Sequence, residues 1–565
     1  MISIDGSRNV MDHYKAMRSV VLIGFQEQAN LGLGYLASTL RTRGYPVIVC
    51  DFEQDADEIA QQVEDANPIL VGFSLIFQFY LPRFRSLASL LRRRGVESHF
   101  TIGGHFPSLS YSETLRLLPE IDSVVRFEGE LTLVELIDTL VRGADWRKTP
   151  GLAFRLDGAP TLTESRPLVA DLDSLPYPDR SAARKTAVLG RPVLTLLASR
   201  GCIRTCSFCS IHTFYRSARG KVVRTRRPAH VVREMEHLFE TEGARVFLFQ
   251  DDDFPLFGPV WQRWAREFLN ELHSSGLARR VIWKINCRAD VVERELFAAM
   301  RDAGLYLVYM GLESGTEEGL DALHKEVSVE QNLRAVECLK DLNLMFDFGF
   351  MLFDPSSTFT SVHANIDFLR RIVGDGSGGA VFCRMIPYDG TPIKDQLERE
   401  GRLRGDVCTP DYDFLDPRLN ECYLALKSLV DVTGWIHGHG ALSHQLNWIW
   451  NETGVLERLF PPLAGIEAYK ADLRAVTRNA NELLFAVVEG VAREYEGGER
   501  PRFTPELLRP EVDRFLTQLV STRNEFIMRH QDVMLDVLEC DRATPLAHGF
   551  PPATLAARKG IQLRA

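Results

Sequence analysis

Three cysteines lie close together in the segment 199–210, which reads SRGCIRTCSFCS. Cys202, Cys206 and Cys209 have the spacing C-x3-C-x2-C, which is compact enough for a shared metal site. A closed zinc site needs four ligands, but no second cysteine pair follows, and His212 is awkwardly close to Cys209 for a fourth ligand. Zinc binding and a chance grouping stay open as alternatives to an iron–sulfur site.

A 4Fe–4S cluster held by three thiolates explains this spacing better than zinc does. Its fourth iron would lack a protein ligand and would be free to bind a small molecule. The aromatic side chain of Phe208, directly before the last cysteine, is placed to shield a cluster from water. The cysteines also follow the strand pattern PVLTLLASRGC, and the loop after a strand is where a (β/α) barrel carries its active site.

Two series of alternating strand and helix patterns position this loop. Within residues 1–150, short apolar runs alternate with helical spacing, which predicts a doubly wound, Rossmann-like α/β domain. A linker follows at 151–189. The second series, at 190–408, has five or six β/α units and predicts a partial (β/α) barrel or a complete one. Long helical patterns then predict a helical domain at 409–565.

The cysteine motif CIRTCSFC resembles the signature of radical S-adenosylmethionine (SAM) enzymes. In that family the amino and carboxylate groups of SAM bind the open iron, and the reduced cluster splits SAM into a 5′-deoxyadenosyl radical. The motifs GLESG and IPYDGTPIKDQLEREGRL extend the resemblance over residues 190–405. It implies that the three cysteines bind the cluster, and that an external donor such as flavodoxin or ferredoxin supplies electrons.

The resemblance also implies SAM or substrate contacts at the ends of the barrel strands. Three adjacent carboxylates follow the second strand, although aspartates at such a position also cap helices. An arginine after the third strand is suited to grip the SAM carboxylate with two hydrogen bonds. The GLESG motif adds an acidic and a hydroxyl side chain near the methionyl part or the ribose of SAM. These residues are Asp251, Asp252, Asp253, Arg288, Glu313 and Ser314.

The first domain resembles the cobalamin-binding domain of one large radical SAM subgroup. The segments LGLGYLASTLRTRGYPVIVCD, VGFS, GGH and EGE have counterparts there in the same order. Paired glycines allow a bulky ligand to approach the backbone closely. The D-x-H-x-x-G motif that supplies a cobalt ligand elsewhere is missing, as is usual in this subgroup, and a domain that has lost its cofactor stays an alternative. The implied cofactor-binding residues are Ser74, Phe77, Gly103, Gly104, His105, Glu128, Gly129 and Glu130.

Composition excludes several other classes of function. The net charge is −10 with no long basic run, which disfavours a nucleic-acid partner. No apolar run reaches the ~18 residues of a membrane span, and the N-terminus lacks the apolar stretch of a signal peptide, so we expect a cytoplasmic protein without a membrane partner. His437, His439 and His444 lie close together, but their glycine-rich, apolar surroundings favour a packed turn over a metal site.

Together these features lead to a functional hypothesis. The resemblance implies a cobalamin-dependent radical SAM enzyme that methylates an unactivated carbon of a small natural-product substrate, with a peptide as second choice. Methylcobalamin would donate the methyl group, while a deoxyadenosyl radical activates the substrate. The first alternative keeps the radical chemistry without methyl transfer, as in ring contraction, cyclisation, dehydration or epimerisation. The second is a metal-containing scaffold without catalytic activity.

Overall fold

The structure, a computed structural model, describes residues 18–26, 29–436, 440–498 and 502–543. His437 and His439, from the histidine group considered above, lie outside the described residues. No helix in the described ranges is both long and apolar enough to cross a membrane.

Seven strands form the N-terminal sheet: β1 Val20–Gly24, β2 Val47–Asp51, β3 Leu70–Ser74, β4 His99–Gly103, β5 Ser123–Val125, β6 Leu152–Leu156 and β7 Ala159–Leu162. Their spatial order is β2-β1-β3-β4-β5-β6-β7. The first five are parallel, as predicted, and the last two pair antiparallel. The hairpin of β6 and β7 thus extends this sheet with residues for which the sequence predicted a linker.

Alternate residues of the first strand belong to different parts of the core. Val21 and Ile23 pack into an apolar cluster on one face of the sheet, and Val20 and Leu22 pack into a second cluster on the other face. A strand buried on both faces reads as a continuous apolar run, which is typical of parallel sheets covered by helices. The covering helices are α1 Leu31–Thr42, α2 Ala56–Ala66, α3 Leu81–Arg93, α4 His105–Leu109, α5 Tyr111–Leu117 and α6 Glu130–Val141.

A second seven-stranded sheet forms the predicted partial barrel, a curled half-barrel. Its strands are β8 Thr186–Val188, β9 Arg191–Leu196, β12 Val246–Phe249, β13 Ile282–Cys287, β14 Leu305–Glu313, β15 Met345–Phe353 and β16 Cys383–Arg384. Their order is β16-β15-β14-β13-β12-β9-β8, parallel except for the edge strand β8. Two short ribbons, β10 Ser199–Arg200 with β11 Arg224–Thr225 and β17 Leu403–Arg404 with β18 Asp411–Tyr412, lie outside this sheet.

Helices alternate with the strands of the half-barrel. They are α7 Ser210–Ser217, α8 Pro228–Thr241, α9 Gly258–Ser274, α10 Arg294–Asp302, α11 Glu317–Ala322, α12 Val329–Asp341, α13 Phe359–Val373 and α14 Pro392–Arg399. The predicted helical C-terminal region follows with α15 Pro417–Thr433, α16 Leu442–Leu459, α17 Ile466–Gly497, α18 Pro505–Arg529 and α19 Gln531–Ala543. One large apolar core joins the half-barrel and these last helices.

Candidate active site

The cysteine loop leaves the end of β9 and leads into α7. Cys209 directly precedes the helix, and its backbone N–H donates to the carbonyl of Cys206 at 3.2 Å. The N–H groups of Ile211 and His212, in the first turn of α7, donate to the Cys209 sulfur. The Cys209 sulfur therefore lies at the positive end of a helix, an arrangement that favours its thiolate form.

Burial opposes ionisation of the thiols until a metal binds. It raises the pKa of the Cys202 thiol to about 12, with the Asp253 carboxylate adding to the effect, and the pKa of Cys209 to about 11. Thiolates, not thiols, bind iron, so metal binding must release these protons. The site is therefore built for ligands that ionise only when a positively charged group is present.

The arrangement of the thiols fits a cluster better than a single metal ion. In the described parts of the chain, no group of three or more His, Cys, Asp or Glu side chains is arranged to hold one ion. In a 4Fe–4S cluster each thiolate binds a different iron atom, so the sulfurs surround a larger body. The charge of Cys209 adds to the raised pKa of Cys202, and the charge of Cys206 adds to that of Cys209, so the three thiols lie near one another.

Two of the three predicted aspartates support the cysteine loop itself. Asp251 is buried and accepts hydrogen bonds from the Ala198 backbone N–H at 3.1 Å and from the Ser199 hydroxyl at 2.5 Å. Asp252 accepts from the Gly201 N–H at 2.9 Å. These contacts tie the end of β12 to the strand that carries the loop. Burial raises the pKa of both carboxyls, that of Asp251 to about 7.

Asp253 is the aspartate nearest the cysteines. Its carboxylate lies 4.0 Å from the Cys202 sulfur and 3.9 Å from the Arg204 guanidinium. Arg204 also pairs with Asp290 at 3.0 Å and covers the ring of Phe257. The sequence reasoning missed Arg204, although its position between two cysteines of the motif was a usable signal.

Arg288 lies where the sequence predicted it, at the end of β13, but its guanidinium is already occupied. One nitrogen donates toward the Cys206 sulfur at 3.7 Å, and another pairs with Asp290 at 3.2 Å. The remaining nitrogen donates to the backbone carbonyls of Lys325 and Glu326. With these partners Arg288 holds Cys206 in place, and a two-bonded grip on a SAM carboxylate would require it to release them.

The GLESG motif supplies two buried polar side chains, one in an ion pair and one in a hydrogen-bond network. Glu313, at the end of β14, has φ +65° and pairs with Lys325 at 2.9 Å. Ser314 is fully buried, and its hydroxyl lies 3.3 Å from the amide oxygen of Asn365 and hydrogen bonds the N–H of Thr316. Lys325, which sequence reasoning missed, also lies 5.9 Å from the ring of Phe208.

At the carboxyl edge of the N-terminal sheet, the GGH loop turns sharply. Gly104 has φ +114°, and a Cβ there would lie 2.1 Å from the Leu75 carbonyl oxygen, so only glycine fits. Gly103 contacts Leu75 through its carbonyl and packs beside Val125.

The turn brings the centre of the His105 ring to 4.4 Å from that of Phe214 on α7, the helix that follows the cysteines. Burial lowers the pKa of His105 to about 4, so the ring is neutral.

An exposed apolar patch lies between this sheet edge and the half-barrel. Phe77, after Ser74 at the end of β3, is 41% exposed and stacks on Phe79 at 5.4 Å. Its other neighbour is Tyr388, beyond the last barrel strand, at 5.7 Å. Together with exposed Ile386 these rings offer the broad apolar surface that the face of a corrin requires. The residues present therefore fit cobalamin at this edge.

The EGE loop connects the two sheets through buried ion pairs. Glu128 accepts from Arg224 at 2.8 Å and from Arg200 at 3.2 Å, and Glu130 accepts from Arg200 at 2.7 Å. Gly129 between them packs closely against the side chains of Leu36 and Val125. Both arginines belong to the ribbon that flanks the cysteine loop. The two glutamates, predicted as cofactor contacts, are engaged as the link between the domains.

Asp389 forms a second link that sequence reasoning missed. Its backbone N–H donates to the Gln78 amide oxygen at 2.8 Å, and its carboxylate accepts from the Ser110 hydroxyl at 2.8 Å. Lys394 pairs with the same carboxylate. The segment after the last barrel strand is thus fastened to two loops at the carboxyl edge of the first sheet. These links orient the apolar patch toward the mouth of the half-barrel.

Comparison with known families agrees with this two-part architecture. A family model described as the B12 binding domain matches residues 19–137. A model described as the radical SAM superfamily matches residues 196–356, which include the cysteine loop. The matched ranges include the parallel part of the first sheet and, in the half-barrel, strands β12 to β15.

Two curated relatives of similar identity carry different activities in their names. An uncharacterised methyltransferase from Pyrococcus horikoshii is 28% identical over 64% of this chain and 77% of its own length. An anaerobic magnesium-protoporphyrin IX monomethyl ester cyclase from Rubrivivax gelatinosus is 29% identical over 71% of each chain. The solved structure of the cobalamin-dependent SAM radical enzyme OxsB with aqua-cobalamin matches 95% of this chain and 82% of its own, with TM-score 0.66 and 16% identity, and so shares the fold.

Proposed function

This chain is a radical SAM enzyme with a B12-binding domain, and we propose that it transfers a methyl group to an unactivated carbon of a small natural-product substrate. The observation that carries the proposal is the pair of interdomain links at Glu128 and Asp389. Through them the apolar patch of the first domain faces the mouth of the half-barrel. A substrate held there would lie between the two cofactor sites, as methyl transfer requires.

The cofactors are cobalamin, SAM and a 4Fe–4S cluster. When bound, they supply the methyl group and the radical that activates the substrate carbon. Cys202, Cys206 and Cys209 would hold the cluster, and Arg288 would keep Cys206 in position. The rings of Phe77 and Tyr388 would support the corrin face and exclude water from the space between the domains.

The partners follow from the same proposal. The cluster must be reduced for each cleavage of SAM, so the enzyme needs an external electron donor, for which flavodoxin or ferredoxin is proposed. The substrate is proposed to be a small molecule. A peptide is the second choice of substrate, and the space between the domains would then have to accommodate a chain of several residues.

Cyclisation is the second candidate because a named relative is a cyclase. The Rubrivivax gelatinosus cyclase is 29% identical over 413 residues, an extent close to that of the methyltransferase relative. In that case the first domain would hold cobalamin for a reaction without methyl transfer. Ring contraction, dehydration and epimerisation belong to the same alternative.

A labelling experiment without a known substrate separates the two candidates. The protein is reconstituted anaerobically with iron, sulfide and hydroxocobalamin, reduced, and given SAM that carries a deuterated methyl group. Labelled methylcobalamin on the enzyme supports methyl transfer, and the Cys206→Ala variant, with corrinoid still bound, serves as the control for cluster-dependent SAM cleavage. Formation of 5′-deoxyadenosine with no label in corrinoid or product would overturn the methyltransferase proposal.

A further inference from the structure

Three polar side chains share the inner face of the half-barrel and have no role in the site described above. Lys284 lies on β13, Tyr309 on β14 and Asp347 on β15. The strand register places Asn286 beside Tyr309, and Tyr309 beside Asp347. Neighbours in register point to the same face of a parallel sheet, and Lys284, two residues before Asn286, points there as well.

Tyr309 shows that this face is open to a concavity. Its side chain is 39% exposed, yet burial raises its pKa, and the charges of Glu313, Cys383 and Asp347 raise it further. Because the sheet is curled, an accessible ring on its inner face lines a concave surface. Cys383, on the neighbouring edge strand, is exposed in the same space.

Lys284 is a cation on this face without a carboxylate partner. Its ammonium donates to the side-chain oxygen of Asn286 and lies 5.3 Å from the centre of the Tyr309 ring. Among the described residues, no carboxylate lies within 4.0 Å of the Lys284 ammonium, the limit for a salt bridge. Burial lowers its pKa, while the charges of Asp347 and Cys287 act in the opposite direction. The side chain is therefore placed to receive a negative group.

Asp347 is the matching anion, on the strand beside Tyr309 and in register with it. Burial raises its pKa to about 6, opposed by the charge of Lys284 and by a hydrogen bond from the Asn451 amide of α16. It is therefore largely ionised at neutral pH. Because β13 and β15 are separated by β14, the backbones that carry the two charges are about 10 Å apart.

We propose that this inner face binds the zwitterionic group of an amino-acid substrate, with its carboxylate at Lys284 and its ammonium at Asp347. This inference rests on the proposed function, since it takes the inside of the half-barrel as the substrate site. A simple anion would be repelled by Asp347, and a simple cation would be repelled by Lys284. A zwitterion complements both charges, and the Tyr309 ring between them offers apolar surface to its hydrocarbon part.

Three matched probes test the charge pattern without turnover. They are para-fluorophenylalanine, para-fluorophenylpropanoate and para-fluorophenethylamine. They share a para-fluorophenyl ring and carry both charged groups, the carboxylate alone and the ammonium alone, respectively. Fluorine NMR line broadening gives the affinity of each probe for the holoenzyme and for the Lys284→Met and Asp347→Asn variants. Lys340→Met removes a lysine that pairs with Asp375 at the surface and is the matched control. Iron content and thermal unfolding verify that each variant is folded.

The amino acid is expected to bind about tenfold more tightly than either parent probe, as one lost charged contact would predict. Lys284→Met should remove the advantage over the amine, and Asp347→Asn should remove the advantage over the propanoate. Lys284→Arg should keep most of the first advantage, and Lys340→Met should leave both intact. Equal binding of the propanoate and the amino acid, or binding that ignores both substitutions, would overturn the inference. If the pattern holds but no labelled methyl group is transferred, only the proposed function fails.

Discussion

Glu128 of the first sheet pairs with Arg224 of the ribbon beside the cysteine loop at 2.8 Å, and both side chains are almost fully buried. Arg200 joins the same carboxylate from the other strand of the ribbon. Burial alone would raise the pKa of Glu128, but the two arginines lower it overall. An ionised carboxylate therefore links the two domains, and it stabilises their contact most when both arginines pair with it.

Replacing that carboxylate should weaken the whole structure. Glu128→Gln leaves two buried arginines with one carboxylate fewer, and we expect a loss of about 3 kcal/mol in the free energy of unfolding. Urea unfolding followed by tryptophan fluorescence measures it. Glu164→Gln is the matched control, because its pair with Arg219 is 3.2 Å long and mostly exposed, and it should cost no more than about 1 kcal/mol. Equal losses would show that the buried pair does not link the domains.

Two half-buried histidines should make stability fall in mild acid. Burial lowers the pKa of both His99 and His105 from 6.5 to about 4. Between pH 6.5 and pH 4 these histidines bind more protons in the unfolded chain than in the folded chain. The free energy of unfolding therefore decreases as the pH falls from 6.5 toward 4. Each histidine should cost about 1 kcal/mol by about pH 5.5.

The urea midpoint measured at several pH values tests this expectation. The double variant with His99→Gln and His105→Gln should have a flatter midpoint between pH 6.5 and 5.5, whereas His363→Gln, at a half-buried helix position, should keep the original slope. An unchanged slope in the double variant would assign the acid sensitivity to other groups.

The parallel strands could be predicted because burial on both faces leaves a plain apolar signature, as in VVLIG at β1. The hairpin of β6 and β7 was missed, although the turn at Asp157 and Gly158 carries the Asp-Gly pair typical of tight hairpins. The edge strands are short and partly exposed, so their alternation is weak. The sequence therefore predicted the centre of each sheet better than its edges.

The ligands of the site could be predicted where they are neighbours in sequence, as the three cysteines are. Asp389 could not, because its partners Gln78 and Ser110 are 311 and 279 residues away. Separations of 72 and 96 residues likewise hid the partners of Glu128, and one of 82 residues hid the contact of Arg288 with Cys206. Residue type identified polar groups near the site, but only the fold determines which of them are already occupied.

Gly104 should be irreplaceable at the carboxyl edge of the first sheet. Gly104→Ala places a Cβ 2.1 Å from the Leu75 carbonyl in a left-handed conformation, so the GGH turn must shift. Gly95→Ala is the control, because Gly95 has φ +85° but nothing within 4 Å of the added Cβ. Gly95→Ala should lose about 1 kcal/mol in the free energy of unfolding, from the backbone conformation alone. Gly104→Ala should lose more than this and should bind less corrinoid. Matching thermal unfolding and corrinoid content in both variants would contradict the prediction.

Cys206 should be required for the cluster because Arg288 holds its sulfur in place and burial isolates it from water. Cys206→Ala is expected to lower iron and sulfide after anaerobic reconstitution by at least about tenfold, since a ligand is lost from a site that already has one open position. Cleavage of SAM to 5′-deoxyadenosine should stop as well. Cys338→Ala, on α12 far along the chain, is the control and should keep both the iron content and the cleavage of SAM.

Corrinoid binding should survive in Cys206→Ala, because the apolar patch at Phe77 and Tyr388 does not include the cysteines. A variant that retained iron and SAM cleavage would show that the C-x3-C-x2-C motif is not the cluster site.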